Sequence, residues 1–188
     1  MNVCVGPVFR LGVTGGVGEG KSTVLGHLRD LGVPTASADG IVGALWEDGT
    51  IPESLKAVFG GRKVSKKEVL DAISSDGRVR RAVNAATHGL VLERLAGSGA
   101  VAVEVPLLVE TCLMGLFRRV WVVTCGPEEQ SRRLVARLGD LERARLAAAA
   151  QIPTAVKVSF ADAVIRTNAS PTSVMTAVER TARAHGMI

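Results

Sequence analysis

One glycine-rich segment near the amino terminus has the residue types and spacing of a phosphate-binding loop. Residues 15–22 read GGVGEGKS and fit the pattern G-x-x-x-x-G-K-[ST]. Glycines, which have no Cβ, let such a loop turn tightly and direct its backbone N–H groups at a phosphate. Lys21 adds a positive charge that can reach the β- and γ-phosphates, and the Ser22 hydroxyl can bind Mg²⁺. The segment therefore predicts a nucleoside triphosphate site.

The residues on either side of this phosphate loop support the prediction. A short, mostly apolar stretch typical of a strand precedes it, and residues 23–31 carry apolar side chains at helical spacing. A strand, a glycine loop and a helix in this order place a phosphate at a helix N-terminus, where free N–H groups and the helix dipole favour anions. The alternative interpretation is an ordinary glycine-rich turn.

Asp39 is the next residue that could do chemistry. It follows the second predicted strand, at the edge of an open α/β sheet where ligands bind. A carboxylate there could accept a proton from an attacking hydroxyl, orient that hydroxyl, or hold Mg²⁺ through water. The competing interpretation is an N-cap for a helix over residues 40–46. We favour the functional role because of the position.

Several arginines follow one another in and after a predicted helix, at Arg132, Arg133, Arg137, Arg143 and Arg145. Guanidinium groups can stabilise the charge that develops on a phosphoryl group during transfer. Most surface arginines are only solvated charges, and we expect at least half of this cluster to be that. Arg137 precedes a Gly-Asp break, where a hinge would carry it over the nucleotide.

Strands and helices alternate along the chain, which predicts an α/β fold with a parallel sheet flanked by helices. The expected strands are residues 8–14, 33–36, 100–105, 120–124 and 163–165. Helices are expected at residues 52–59, 66–74, 78–95, 127–138, 141–151 and 171–184, with Pro127 in a first turn and Ser170 as an N-cap. The long helical section between the second and third strands is where an acceptor would be recognised, or a helical cap without a ligand.

Composition narrows the class of protein. The 188 residues fit one domain, and the net charge of +5 suits a protein with polyanionic nucleotide ligands. No basic run with interleaved aromatic residues indicates nucleic-acid binding, and no apolar run or leader indicates export or a membrane. Three cysteines, Cys4, Cys112 and Cys125, lack metal-site spacing and suggest reduced thiols in a cytoplasmic protein. We expect Cys125 to be a small buried hydrophobe.

The order and spacing of several motifs resemble the dephospho-CoA kinases, a family of P-loop kinases related to the nucleoside monophosphate kinases. The motifs span nearly the whole chain: TGGVGEGKST at residues 14–23, ADGIV at 38–42, VPLLVE at 105–110, the Gln130, Arg133 and Arg137 spacing, QIP at 151–153, and ADAVI at 161–165 with Asn168. All P-loop proteins share the phosphate-loop motif, but the combination of P-L-L-x-E and A-D-x-V-I-x-x-N is much more specific to this family.

The resemblance implies a fold, a reaction and a set of ligands. The fold would be a single three-layer P-loop domain with a helical acceptor-binding insertion at about residues 51–97 and a helical lid at about residues 132–153. The reaction would transfer the γ-phosphate of ATP to the 3′-hydroxyl of the ribose of dephospho-CoA, giving coenzyme A and ADP. ATP would be the co-substrate and Mg²⁺ the cofactor, bound by Ser22. We expect a monomer or a small homo-oligomer.

Site residues follow from the same resemblance. Asp39 falls on the family's catalytic aspartate, Arg137 falls on a lid arginine, and Lys21 completes the catalytic set. The implied ATP-binding residues are Gly16, Val17, Gly18, Glu19, Gly20, Lys21, Ser22, Thr23 and Asn168. The implied acceptor-binding residues are Thr14, Asp39, Lys66, His88, Pro106, Leu107, Leu108 and Glu110.

The acceptor side departs from the usual family pattern. Ser65-Lys66-Lys67 stands where the family usually has Asp-Arg, and His88-Gly89 stands for His-Pro. A lysine supplies a point charge but not a bidentate fork. Two other interpretations therefore stay open. One is a different small-molecule kinase, of the nucleoside monophosphate or shikimate type, and the other is a nucleotide-binding regulator without transfer activity.

Overall fold

A sheet of five parallel strands in the order β2-β3-β1-β4-β5 forms the centre of the computed structural model, which describes residues 8–47 and 53–188. The strands are β1 (Phe9–Gly15), β2 (Thr35–Ser37), β3 (Ala102–Glu104), β4 (Phe117–Thr124) and β5 (Ala163–Arg166). The helices are α1 (Lys21–Asp30), α2 (Ala38–Glu47), α3 (Glu53–Val58), α4 (Lys66–Ser75), α5 (Gly77–Gly97), α6 (Pro127–Leu138), α7 (Leu141–Ala149), α8 (Thr154–Lys157) and α9 (Pro171–Ala184).

The strand order places the carboxyl end of β1 at the middle of the sheet. β1 pairs with β3 on one side and with β4 on the other, so the chain goes from β1 to β2 on one side and later crosses from β3 to β4 on the other. In open α/β sheets such a switch point is where ligands bind, outside the carboxyl ends of the strands. The phosphate loop, which follows β1 directly, lies at this point.

Apolar residues on both faces hold the sheet between layers of helices. On one face, alternate residues such as Leu11, Val13 and Trp121 pack with Val24 and Leu28 of α1 into the main core. Helix α9 packs against α1 and extends the same core. Val120 and Val122, which alternate with these residues in β4, are buried as well. Burial of both faces explains why β4 is an almost continuous apolar run.

The described residues divide into two compact units. One contains the sheet, with residues 8–37 and Gly99–Ile188, and the other is the helical unit Ala38–Ser98. The helical unit has its own small core of Leu55, Val64, Val69 and Val83, where α3 and α4 pack against α5. Ser65 and Glu68 form a capping box that fixes the start of α4.

The predicted α/β fold with a flanked parallel sheet is confirmed, and all five predicted strands are present. β4 begins three residues before its prediction, because backbone pairing with β1 continues past two exposed arginines at its amino end. Helix α1 begins two residues early, at Lys21, since Gly20 takes a left-handed φ of 89° and starts the helix. Helix α7 ends at Ala149, before the predicted residue 151.

The structure also tests predictions made for individual residues. Asp39 is not an N-cap, because α2 begins at Ala38 and includes Asp39 in its first turn. Burial of Cys125 is confirmed, and that burial raises the pKa of its thiol. Cys4 and residues 51 and 52, where a helix and the insertion were predicted to begin, lie outside the described residues. Within residues 8–47 and 53–188, no helix is both long and apolar enough to cross a bilayer.

Candidate functional site

The phosphate loop begins where β1 ends and turns directly into α1. Gly15, Gly18 and Gly20 have φ angles of 150°, 78° and 89°, which side chains disfavour. Close packing adds to the constraint, since a Cβ on Gly15 would lie 2.3 Å from the carbonyl oxygen of Val123 in β4. The glycines are therefore required both for the turn and for the approach of the loop to the sheet.

Lys21 is the first residue of α1 and is almost fully buried. Its Nζ donates to the carbonyl oxygens of Gly15 at 3.2 Å and Gly16 at 3.0 Å, which folds the side chain back over the loop. Ser22 and Thr23 follow in the first turn of α1, with both side chains exposed. The structure thus brings an ammonium group and two hydroxyls to a helix N-terminus, which is where an anion is favoured.

Glu19 lies inside the loop and is 2% exposed. Its Oε2 accepts hydrogen bonds from the backbone N–H of Gly16 and the hydroxyl of Thr154, both at 2.5 Å. Its Oε1 accepts from the hydroxyl of Thr124 at 3.1 Å. The buried carboxylate therefore ties the loop to the end of β4 and to the start of α8. Its side chain is therefore occupied within the protein and is not available to a phosphate in this arrangement.

Two glutamines hold the peptide groups of Val17 from opposite ends of the α6–α7 helix pair. The backbone N–H of Val17 donates to Gln151 Oε1, and Gln130 Nε2 donates to the carbonyl oxygen of Val17, each at 2.9 Å. Gln130 lies in the first turns of α6, and Gln151 follows the end of α7. The segment predicted to be a lid is thus attached to the phosphate loop near both of its ends.

Arg133 connects α6 to the segment after β5. Its Nη2 donates to the carbonyl oxygen of Thr167 at 2.7 Å and its Nη1 to the Thr167 hydroxyl at 3.2 Å, and that hydroxyl donates to the carbonyl oxygen of Glu19. Glu129 orients the guanidinium, and hydrogen bonds from Arg132 and Arg133 lower the pKa of Glu129 to about 2. The arginine beside the loop is therefore Arg133.

Two further predicted residues, Arg137 and Asn168, lie near the contact between Arg133 and Thr167 in the chain. Arg137 is exposed in the last turn of α6, and no hydrogen-bond or ion-pair partner for it is found in the described part of the chain. Asn168 is exposed and directly follows the buried Thr167. Both side chains are accessible to a ligand, so their predicted contacts with ATP stay predictions.

The predicted acceptor residues of the sheet unit lie next to the carboxyl end of β3. The hydroxyl of Thr14 donates to the carbonyl oxygen of Pro106 at 3.2 Å, which joins β1 to this segment. Pro106 and Leu107 are partly exposed, whereas Leu108 is fully buried and packs into the protein. Glu110 pairs with Lys157, Nζ to Oε1, at 2.8 Å. Of this set, Pro106, Leu107 and Glu110 are partly exposed, and the Glu110 carboxylate is already paired with Lys157.

The remaining predicted residues belong to the helical unit. Asp39 is exposed in the first turn of α2, and Lys66 is the exposed first residue of α4. His88 lies in the middle of α5 and is partly buried, and burial lowers the pKa of its imidazole. Their predicted roles toward the acceptor stay predictions.

Comparison with known proteins identifies the family. The dephospho-CoA kinase family model matches residues 9–172 of this chain. The chain belongs to the dephospho-CoA kinase family. It is similar to curated dephospho-CoA kinases from Rhizobium meliloti, 33% identical over 85% of this chain and 89% of that protein, and from Geobacillus kaustophilus, 31% identical over 84% and 87%. Members of the family are ATP-dependent phosphotransferases, and this chain is one.

Solved structures show the same fold. A crystal structure from Thermus thermophilus is similar with a TM-score of 0.75, at 28% identity over 96% of this chain and 98% of that chain. A Campylobacter jejuni dephospho-CoA kinase has a TM-score of 0.56 at 23% identity, over 94% and 96% of the two chains. A shikimate kinase from Aquifex aeolicus also reaches 0.56, at 16% identity over 95% and 99%. The three-layer P-loop kinase architecture is therefore confirmed.

Sequence analysis missed several residues of this dephospho-CoA kinase fold that surround the loop. From α8, Thr154 contacts the phosphate loop and Lys157 contacts Glu110. Neither residue belongs to a motif whose spacing would have indicated a functional role. Glu104 ends β3 opposite Val13 of β1, so its carboxylate stands at the ligand edge of the sheet. Its place at the end of an apolar run was a usable signal, since ligands bind at strand ends.

Proposed function

We propose that this chain binds ATP on its phosphate loop and transfers the γ-phosphoryl group to the 3′-hydroxyl of the ribose of dephospho-CoA, giving coenzyme A and ADP. The observation that carries the proposal is a phosphate loop with Lys21 folded over it, within a family match over residues 9–172. Phosphoryl transfer needs mainly positioning and charge stabilisation, because no covalent intermediate with the protein is required.

The nucleotide side would use backbone groups first. The N–H groups of residues 18–23 at the start of α1 would bind the phosphates, with Lys21 exchanging its carbonyl partners for phosphate oxygens. Asn168, which is exposed after β5, would lie near the adenine. Arg137 would stabilise the transferring group, and its exposed, unpartnered side chain in the described structure is consistent with a group that engages only when ligand is bound.

The acceptor side would place the hydroxyl that attacks. Asp39 would orient the ribose hydroxyl and accept its proton, since an exposed carboxylate in a helix's first turn is available to a ligand. Pro106 and Leu107 would contact the acceptor, supported by Thr14, Leu108 and Glu110 behind them. Lys66 and His88 would belong to the helical part that receives the rest of dephospho-CoA.

Mg²⁺ fits the oxygen donors at this edge of the sheet. The exposed Ser22 hydroxyl and the Glu104 carboxylate are hard ligands of the kind Mg²⁺ prefers, and Mg²⁺ usually takes one or two protein groups plus substrate phosphates. The described residues contain no group of three or more His, Cys, Asp or Glu side chains placed to hold a metal alone. When bound, Mg²⁺ would neutralise charge on the phosphates.

The proposal extends to cell location and assembly. We place the reaction in the cytoplasm, where ATP and reduced thiols such as exposed Cys112 are maintained, in a monomer or small homo-oligomer.

The direct test is incubation of the purified chain with ATP, Mg²⁺ and dephospho-CoA, followed by mass analysis of the acceptor. We expect a product one phosphate heavier that forms only with all three present, and no product from Lys21→Ala, because the phosphate charge is then unopposed. Parallel reactions with a nucleoside monophosphate and with shikimate test the other kinases. Efficient phosphorylation of either, with dephospho-CoA unchanged, would overturn the proposal; ATP binding without any transfer would instead indicate a regulator.

A further inference from the structure

A short segment after α7, residues 151–157, touches the phosphate loop through two side chains. Gln151 Oε1 accepts from the backbone N–H of Val17 at 2.9 Å, and Thr154 Oγ1 accepts from the backbone N–H of Gly16 at 3.1 Å. The Thr154 hydroxyl also donates to the buried carboxylate of Glu19. We call residues 151–157 the bridge segment. Its first half is fixed to the loop by three hydrogen bonds to consecutive or nearby loop residues.

Two other residues of the bridge segment, Ile152 and Lys157, hold residues 106–110, the part of the sheet unit assigned to the acceptor. The backbone N–H of Ile152 donates to Glu110 Oε1 at 3.0 Å, and Lys157 Nζ reaches the same oxygen at 2.8 Å. Lys157 Nζ also donates to the carbonyl oxygen of Pro106 at 3.0 Å. One lysine therefore binds both ends of that segment.

Burial shows that the Lys157–Glu110 pair is not an ordinary surface contact. Lys157 is 0% exposed, and it is the last residue of the short helix α8. The free energy needed to remove two charges from water can equal or exceed the attraction between them. A buried ion pair is therefore weak evidence for a gain in stability. Within the described residues, Glu110 Oε2 is buried without a hydrogen-bond partner, so the arrangement is not optimised for stability either.

We propose that the bridge segment couples the phosphate loop to residues 106–110, so that nucleotide binding raises the affinity for the acceptor, with Lys157 and Glu110 as positioning residues. α8 is a single helical turn that carries Thr154 at one end and Lys157 at the other. A displacement of Gly16 on phosphate binding would therefore pass through Thr154 and Lys157 of this turn to Pro106. The inference rests on the proposed function, which assigns residues 106–110 to the acceptor.

Coupling of this kind is reciprocal and can be measured as one ratio. The ratio is the acceptor Kd without nucleotide divided by the acceptor Kd with a non-hydrolysable ATP analogue, obtained by calorimetry on the full chain. We expect a ratio of about 5 or more for the wild-type chain, within the usual range of allosteric coupling. The affinity for the analogue alone is measured separately.

The test variant is the double substitution Glu110→Gln with Lys157→Met. It removes both charges, so no buried charge is left alone, and the Gln oxygen can still accept from the Ile152 N–H. We expect it to fold, to bind the analogue alone within about twofold of wild type, and to have a ratio near 1, with KM for dephospho-CoA raised under saturating ATP. Melting followed by circular dichroism confirms that the compared chains are folded.

A matched control breaks another ion pair of the sheet unit. Arg119 Nη1 pairs with Asp162 Oδ1 at 2.8 Å, and Asp162 Oδ2 also accepts from a backbone N–H, that of Val120. Arg119→Met with Asp162→Asn therefore also removes one positive and one negative charge, from a more exposed ion pair at the amino ends of β4 and β5, away from the loop. We expect this control to keep the wild-type ratio.

The outcomes separate the two proposals. A folded Glu110→Gln, Lys157→Met chain that keeps the wild-type ratio would overturn the coupling while leaving the function intact, as would a wild-type ratio of 1 in a chain that makes coenzyme A. Equal loss of the ratio in the Arg119 and Asp162 control would show a general loss of rigidity and would also overturn it. A wild-type chain that makes no coenzyme A would instead refute the function.

Discussion

At the scale of single residues, the site divides its work between backbone groups and a few charged side chains. Lys21 is held over the loop by two carbonyl oxygens, so its charge is in place before a phosphate arrives. Its ammonium group is thus held beside the phosphate site and has only to exchange those carbonyl partners for phosphate oxygens when nucleotide binds. Asp39, which is exposed, has no comparable restraint and would be ordered by the acceptor itself.

The different roles of these two residues lead to a prediction for Asp39→Asn. Turnover should fall by a factor of about 10² to 10⁴, the usual contribution of one acid–base group, while ATP binding survives. Steady-state kinetics and calorimetry with an ATP analogue measure the two quantities. A variant that also loses ATP binding would show that Asp39 has a structural role, and one with unchanged turnover would exclude it as the base.

At the scale of elements, β4 and α9 are joined by a hydrogen bond deep in the sheet unit. Trp121 of β4 is fully buried, and its Nε1–H donates to Nδ1 of His185 at 2.9 Å. His185 immediately follows α9, whose inner face covers the sheet. A single imidazole therefore satisfies the polar atom of the largest buried side chain and fixes the end of the last helix.

We predict that His185→Leu destabilises the chain by about 1–3 kcal/mol, because the indole N–H of Trp121 is left buried without an acceptor. His185→Gln, whose side-chain oxygen can accept, should recover part of that loss. Urea unfolding followed by circular dichroism gives both free energies. Equal stability of the Leu variant and the wild type would mean that the hydrogen bond contributes nothing net.

At the scale of the whole molecule, the two compact units can be followed separately, because each contains one of the chain's two tryptophans. Trp121 lies in the core of the sheet unit, and Trp46 packs against the core of the helical unit. The core cluster beside Trp46 is small, with four buried side chains against thirteen in the main core of the sheet unit, among the described residues. The helical unit should therefore respond first to conditions that penalise burial.

One such condition is acid, through His88. Burial lowers the pKa of His88 below its ordinary value of 6.5, so the folded unit favours the neutral imidazole. The contribution of His88 to the free energy of unfolding is fully present above pH 6.5, and it is lost as the pH falls below that value toward the lowered pKa. In a Trp121→Phe chain, Trp46 fluorescence should therefore report weaker resistance to urea at pH 5 than at pH 7. His88→Gln should reduce that difference, and an equal difference in both chains would exclude His88.

Two of the three arginines of α6, Arg133 and Arg137, illustrate how much of the site can be predicted from the sequence. Residues four apart share a helix face, so Arg133 and Arg137 lie on one side of α6, which has the predicted bounds of residues 127–138. Spacing along a helix carries no information about what lies opposite, however. Only the packing of α6 beside the segment after β5 shows that Arg133 meets Thr167 while Arg137 stays exposed.

Local chemistry by itself determined the phosphate loop, the five strands and the family, because glycine conformations, a lysine at a helix start and apolar periodicity act between near neighbours in the chain. Tertiary structure alone decided that Gln151 and Thr154 close on the loop and that Lys157 joins Glu110 to Pro106. These contacts join residues that are between 47 and 138 positions apart in the chain. Polar side chains so far apart find their partners only once the sheet and helices have brought the distant segments together.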